Sequence, residues 1–320
     1  MNNFSALGFR LIMALLVYGI ASFPTLTSKL LAQQKTVSKA LIVDGFSNHD
    51  WKQTSAVIKW ILESSGKFDV KVTTIPLDSA SLRSWNPDFS DYDVVIQNTN
   101  NIHNLTLTWP TQAQKKLEEY VKNGGGLYIL HSANNAFPQW SEYDKMIGLG
   151  WRAADNGVAL ELDSAMNLVR HASGEGKGTS HGDRFDALIQ VMTSHPINHG
   201  YPKSWKTVNT EVYSFPRGTA ENIEVLSSAY DSTDTKRIWP VEWVVSYGSG
   251  KVYNSSMGHL WHGETYPESY RCVGFQTTVI RAAEWLATGL VTYPIPANFP
   301  DGKNSSLKLA EEFPPKIPKL

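Results

Sequence analysis

Two rhythms of apolar residues run along this chain. Short unbroken apolar runs alternate with segments in which apolar positions recur every three or four residues, as buried strands and amphipathic helices do. Residues 39–44 (KALIVD) form the first run and stop at Gly45, the pattern of a strand buried in a parallel sheet. Across residues 49–65, Val57, Ile58, Ile61 and Leu62 fall on one helical face, and Gly66 closes the segment. Residues 68–73 (FDVKVT) alternate, as an outer strand would. A third strand is expected over residues 92–97 (YDVVIQ), followed by a polar loop over residues 98–104. Pro110 opens a helix with Ala113, Leu117, Tyr120 and Val121 on one face, and Gly124, Gly125 and Gly126 end it. Residues 127–130 (LYIL) predict a fourth strand that stops at His131-Ser132.

This β-α-β-β-α-β order predicts an α/β fold, an open and mostly parallel sheet with helices on both faces. Residues 157–170 are irregular and strand-like, and residues 174–182 (GEGKGTSHG) predict a flexible loop. Later strands are expected at 223–228, 241–247 and 250–255, the last two joined by a glycine-rich hairpin turn. Residues 270–288 predict a closing helix, apolar on most sides and so buried. After Gly289 the chain becomes rich in proline and lysine, and an extended tail is expected over residues 290–320. No repeat or linker divides residues 38–289, which are expected to form one domain.

The first residues carry a different message. Residues 1–10 hold Arg10 and no acid, and residues 11–23 (LIMALLVYGIASF) are almost wholly apolar. At about 1.5 Å per residue that stretch falls short of the hydrocarbon thickness of a bilayer. A basic start, a short apolar stretch and small residues near Ala32 predict a secretory signal peptide over residues 1–32. No cysteine follows the apolar run, which excludes a lipid-modified cysteine anchor. The mature protein is expected to be periplasmic or secreted, with no membrane contact after cleavage.

Composition narrows the function classes. With 29 Lys and Arg against 30 Asp and Glu, the net charge is −1, without the basic excess of a protein that tracks nucleic-acid phosphates. The one cysteine, Cys272, excludes an internal disulfide and any cysteine-rich zinc module, and reads as a buried thiol in the closing helix. No phosphate-binding loop and no dinucleotide glycine motif follows a first strand. The turn after the fourth strand reads Leu130-His131-Ser132-Ala133-Asn134, not a G-x-S-x-G nucleophile elbow.

Ligands of open α/β sheets bind beyond the carboxyl ends of the strands. Polar groups collect at those ends: Asp44 with Asn48, His49 and Asp50, then Asn98 to His103, then His131-Ser132, then Gly258-His259. Asp44 and Asn48 also suit helix capping, and the asparagine-rich loop suits ordinary turns. What singles these groups out is that distant strands bring their ends to one rim. No cofactor is expected. The alternative is a divalent metal drawn from His49, His131, His181, His195, His259 and His262 with Glu211 and Glu242 as carboxylate partners, assembled from distant segments, because the close pairs His195/His199 and His259/His262 sit in Pro/Gly-rich surroundings and not on a helix.

A series of motifs then points to one family. Residues 124–132 (GGGLYILHS) lead to Tyr143-Asp144, residues 148–152, and His195-Pro196-Ile197 with Gly200. Glu211-Val212-Tyr213, residues 240–243 (PVEW), residues 247–252 (YGSGKV) and Met257-Gly258-His259 continue in the same order. Over residues 38–289 the chain resembles the trehalose-utilisation (ThuA-like) family. The resemblance implies the class I glutamine-amidotransferase-like fold, a flavodoxin-like three-layer α/β sandwich. It also implies a link to trehalose and related disaccharides, including routes through keto-sugars. In amidotransferases of this fold a cysteine occupies the tight turn after the glycine-rich strand. Here that position is His131 or Ser132, which leaves no thiolate to form a thioester and excludes amidotransferase activity. Lys251 stands where the family pattern has arginine, and Glu242 where members often carry a small residue.

The expectation from residues and resemblance together is an enzyme acting on a disaccharide or keto-glycoside. His131 is the expected general acid or base, because an imidazole titrates near neutral pH. Glu211 or Glu242 is the expected complementary carboxyl. Asn98, Asn100 and Asn134 are expected to hold sugar hydroxyls beside Asp44, His49 and His259, with Trp140 or Trp261 stacking on the ring. The alternative is an exported sugar-binding protein in which the same residues only recognise.

Overall fold

A computed structural model describes residues 37–313, so the expected signal peptide over residues 1–32 lies outside the described residues. The strands and helices alternate from the start: β1 (Ser38–Asp44), α1 (Trp51–Ser64), β2 (Phe68–Thr74), α2 (Ser79–Ser84), β3 (Val94–Gln97), α3 (Thr111–Lys122), β4 (Gly126–Leu130) and α4 (Ser141–Ile147). A run of strands follows: β5 (Val158–Leu162), β6 (Leu168–His171), β7 (Leu188–Val191), β8 (Ser204–Lys206) and β9 (Arg217–Gly218). The chain closes with β10 (Ile223–Tyr230), β11 (Ile238–Tyr247), β12 (Gly250–Ser255), α5 (Glu268–Arg271) and α6 (Val273–Thr288).

The centre of the sheet is parallel, as expected, in the order β2-β1-β3-β4-β12. An antiparallel wing of β11, β10, β7 and β8 extends it, and β5 branches from β11 to pair with β6 and β9. Successive residues of a strand point to opposite faces. Ala40 and Ile42 of β1 therefore join one apolar core with Ile58 and Leu62 of α1 and Val279 and Ala283 of α6. Leu41 and Val43 join the other core with Leu117 and Val121 of α3 and Tyr143 and Ile147 of α4. A strand covered on both faces has no polar position to spare, which is why Ala40 to Val43 are apolar without a break between Lys39, which is exposed, and Asp44.

Two differences from the expected elements have clear causes. The closing helix is broken at Cys272, whose extended backbone (φ −58°, ψ 120°) separates α5 from α6 and bridges to Leu307. The thiol is buried there, as expected. Residues 290–313 run largely without helix or strand and are strapped down over α6. Arg281 donates to the carbonyls of Pro196, Ile197, His199 and Tyr293, while Glu284 accepts from the backbone N–H groups of Thr292 and Tyr293. Phe299 and Leu307 pack on the core and Phe313 is buried. That strap is why α6 is buried on almost every side. The short strands β7 and β8 have no counterpart among the expected elements, because four and three residues are too few for a period to show.

Because β1, β3, β4 and β12 run the same way, Asp44, Gln97, Leu130 and Ser255 end on a common rim.

Candidate active site

Local backbone conformation delivers each side chain to that rim. His131 follows β4 directly with φ 43°, a left-handed turn that costs a non-glycine residue about 1–3 kcal/mol. The register of β4 against β12 pairs Leu130 with Ser255, so His131 comes beside Ser256, whose carbonyl accepts from Nδ1 at 2.6 Å. Beyond Ser256 the chain turns at Gly258 (φ 100°), where a Cβ would press on the Phe275 ring at 3.0 Å, and presents His259. After β1, Gly45 (φ 138°) lies so close to Ile75 that a Cβ would stand 2.7 Å from its carbonyl oxygen, and the following loop carries His49. Glu211 lies in the connection from β8 to β9. Backbone bridges from Phe185 to Thr210 and from Ser180 to Ser214 bind that connection to the segment bearing His181 and Arg184.

Three imidazoles meet at the rim. Ring centroids are 5.0 Å apart for His49 and His131, 4.8 Å for His49 and His259, and 5.3 Å for His131 and His259, each pair edge to face. All three residues are buried, and one ring nitrogen of each lies within 4.8 Å of the others. Glu211 lies against the same group. Its Oε2 is 3.7 Å from His131 Nε2, and its Oε1 is 3.3 Å from His259 Nε2 and 3.4 Å from His181 Nε2. Trp261 closes the outer side, 44% exposed, with its edge on His49 at 5.1 Å and its face on His259 at 5.8 Å.

Burial sets the protonation of these groups. It drives His49 down to about 4 and His259 to about 3, and holds His131 well below the ordinary imidazole range; neighbouring imidazoles push in the same direction. All three rings are therefore neutral at pH 7. A carbonyl only accepts, so His131 donates from Nδ1 to Ser256 and keeps its lone pair on Nε2, a buried atom with no hydrogen-bond partner. The same loss of water raises Glu211 to about 7, against the pull of His181 and Arg184. A carboxyl that titrates near neutral pH beside neutral imidazoles can give and take protons.

The expected site residues divide. His131, Glu211, His49, His259 and Trp261 come together. Asn100 acts one step out: its Nδ2 donates to Asn48 Oδ1 at 2.6 Å, and the same oxygen accepts from His49 Nδ1 at 2.9 Å. Asp44 accepts from Thr74 Oγ1 at 2.7 Å, and burial raises its carboxyl. Asn98 donates to the Trp51 carbonyl and to Ser55 Oγ, which fastens α1 to the rim. Asn134 is fully buried; its carbonyl accepts from Trp151 and Arg152, and its carboxamide has no partner.

Two expected residues sit elsewhere. Trp140 stacks on Tyr143, donates from Nε1 to Glu118 at 2.5 Å, and lines a separate cavity of about 330 Å³ with Phe137 and Gln139. Glu242 sits on β11, where its carboxyl, raised by burial, accepts from Ser227 Oγ at 2.5 Å and from the Tyr253 hydroxyl. Neither Glu242 oxygen forms an ion pair with a histidine among the described residues, so the carboxylate beside His131 is Glu211. Among the other histidines, His195 packs on Trp285 at 4.5 Å, and Lys251 lies over the same indole at 4.9 Å. Two further side chains reach the site: Arg184, absent from every sequence motif, 3.2 Å from His259 Nδ1, and Tyr213, part of the Glu211-Val212-Tyr213 motif but given no site role by it, 5.6 Å from His131. Both lie in irregular loops, where no period marks them.

An α/β sandwich with a parallel sheet centre, buried imidazoles at the strand rim and its one cysteine buried at the start of α6 defines the class: an α/β protein whose rim carries no thiol. The chain belongs to the ThuA family, described as trehalose utilisation, whose model matches residues 39–286. It is similar to the crystal structure of a ThuA-like protein from Parabacteroides merdae ATCC 43184, with 33% identity over 85% of this chain and 98% of that one and a TM-score of 0.77. More distant matches are a GMP synthase component from Thermoplasma acidophilum (11% identity, 79% and 95% of the chains, TM-score 0.40) and a glutamine amidotransferase from Thermotoga maritima (8%, 68% and 74%, 0.36). No curated protein matches the chain. The family implied by the motifs is present, and it ties the protein to trehalose utilisation.

Proposed function

We propose that this protein is an exported enzyme that acts on a disaccharide or keto-glycoside by proton transfer through His131 and Glu211. The observation that carries the reading is Glu211 itself: a buried carboxyl raised to about 7, with imidazole nitrogens at 3.3, 3.4 and 3.7 Å. A keto group acidifies the C–H bond beside it. The free Nε2 lone pair of His131 takes that proton, and protonated Glu211 gives one to the keto oxygen or to the departing sugar oxygen. The exposed Trp261 offers a flat apolar face to the ring. Export rests on the segment 1–32, and recovery of the protein from the cytoplasm alone would remove that part of the reading.

The test is incubation of the full chain with a panel of disaccharides and their 3-keto forms, followed by product analysis. Conversion of at least one member is expected, and His131→Ala should slow it about 10²–10⁴-fold, the usual contribution of a positioned acid or base. Unchanged turnover in that variant overturns the mechanism. Calorimetric binding without any product overturns the enzyme and leaves a sugar-binding protein.

A further inference from the structure

We propose that His49, His131 and His259 form a three-histidine site for a divalent transition-metal ion, with Glu211 beside the ion. The proposal rests on the carbohydrate reading for the ion's use and amends it, because an ion on His131 Nε2 occupies the lone pair assigned there to the base and leaves proton transfer to Glu211; binding itself is measured without sugar.

Three separate strand ends supply the ligands, and one ring nitrogen from each already lies within 4.8 Å of the other two. Nitrogens bound to one zinc at about 2.0–2.1 Å stand about 3.4 Å apart in a tetrahedron, so side-chain adjustment of about an ångström closes the set. Two of the rings are also prepared for it: His131 Nδ1 is occupied by the Ser256 carbonyl and His49 Nδ1 by Asn48 Oδ1, which fixes the tautomer and leaves each Nε2 lone pair free. On His259, Arg184 donates to Nδ1 and so puts the proton on Nε2, and this ring has to give up the Arg184 contact and switch tautomer to offer Nε2. An outer partner on the far nitrogen is the common arrangement for metal-binding histidine. Among the described residues His131 Nε2 has no hydrogen-bond partner although it is buried, a state that costs free energy unless something accepts its lone pair.

The donor set selects the class of ion. Imidazole suits zinc, cobalt, nickel and copper, whereas magnesium and calcium require oxygen ligands. Glu211, against both His131 and His259, would stand beside such an ion, whose chemistry there would be to acidify a bound water.

The experiment uses untagged full chain stripped with a chelator and titrated with zinc alone, by calorimetry and elemental analysis. One zinc per chain with micromolar or tighter affinity is expected, together with a rise in Tm. Cobalt in place of zinc should give the visible bands of a four-coordinate ion. His49→Ala and His259→Gln should each weaken binding at least 100-fold, while His199→Ala, at an exposed position, should leave it unchanged. Both ligand variants are checked for native circular dichroism, so that lost binding is not lost folding. Zinc bound below one equivalent, or bound equally by the ligand variants, overturns the site. Stoichiometric zinc with no sugar converted keeps the site and overturns the enzymatic reading; sugar conversion without stoichiometric zinc does the reverse.

Discussion

His131 Nδ1 and the Ser256 carbonyl are joined at 2.6 Å, a hydrogen bond between residues 125 positions apart in the chain. The bond exists because β4 and β12 are neighbours in register, and it decides which face of the imidazole looks into the site. Nε2 is left toward Glu211, 3.7 Å away, as a buried lone pair.

The two buried carboxyls should separate cleanly on mutation. Glu211→Gln removes the group that exchanges protons near neutral pH, so turnover should fall about 100-fold or more and the pH–rate profile should lose its limb near 7. Glu242→Gln keeps the shape that fits between Ser227 and Tyr253 and should cost about 1 kcal/mol of stability, with turnover changed only a few-fold. Steady-state kinetics across pH and thermal unfolding of both variants decide it.

The contribution of Glu211, His49, His131 and His259 to the stability of the metal-free protein should peak near pH 6.5. Above that, Glu211 is protonated in the fold up to about 7 but ionised when unfolded, so stability falls as pH rises. Below 6.5 the unfolded chain protonates His49, His131 and His259 while the fold holds them neutral, so stability falls as pH drops toward 4 for His49 and 3 for His259. Between 4.5 and 6.5 Glu211 offsets one of the three histidines; below 4.5 the loss steepens. His49→Gln should make the acid limb shallower, measured as Tm against pH in chelator. An identical acid limb in that variant would count against burial as the cause.

Asn48 should matter without touching substrate. Its Oδ1 receives both His49 Nδ1 and Asn100 Nδ2, so Asn48→Ala frees the His49 ring to rotate. A loss of about 10–100-fold in kcat/KM is expected, the usual effect of removing an outer partner, with unfolding little changed. Asn48→Asp restores an acceptor and should recover much of the rate; equal loss in both variants would show that ring orientation is set elsewhere.

Gly45→Ala should be among the costliest small changes near the rim. The new Cβ meets the Ile75 carbonyl at 2.7 Å in a backbone conformation that L residues avoid. Strain and overlap together should cost about 2–5 kcal/mol, read from denaturant unfolding. A cost under about 0.5 kcal/mol would mean that the loop toward His49 relaxes freely.

Much of the fold is legible in the chain. Residues 40–43 and 127–130 are apolar throughout because both faces of β1 and β4 are covered, and α3 announces itself by Pro110 and its closing glycines. The break at Cys272 is not legible, because the backbone that pairs there arrives from Leu307. Trp140 and Trp261 read alike as stacking residues, yet one lines a separate cavity and the other covers His49 and His259.

The sequence by itself determined the alternation of strands and helices, the family, and a roster of polar residues at strand ends. Those follow from periodicity and local motifs, which neighbouring residues encode. Only the tertiary structure decided that Glu211 rather than Glu242 stands beside His131. Distance and burial, which govern a carboxyl's hold on its proton, arise between segments that meet only when the sheet is assembled.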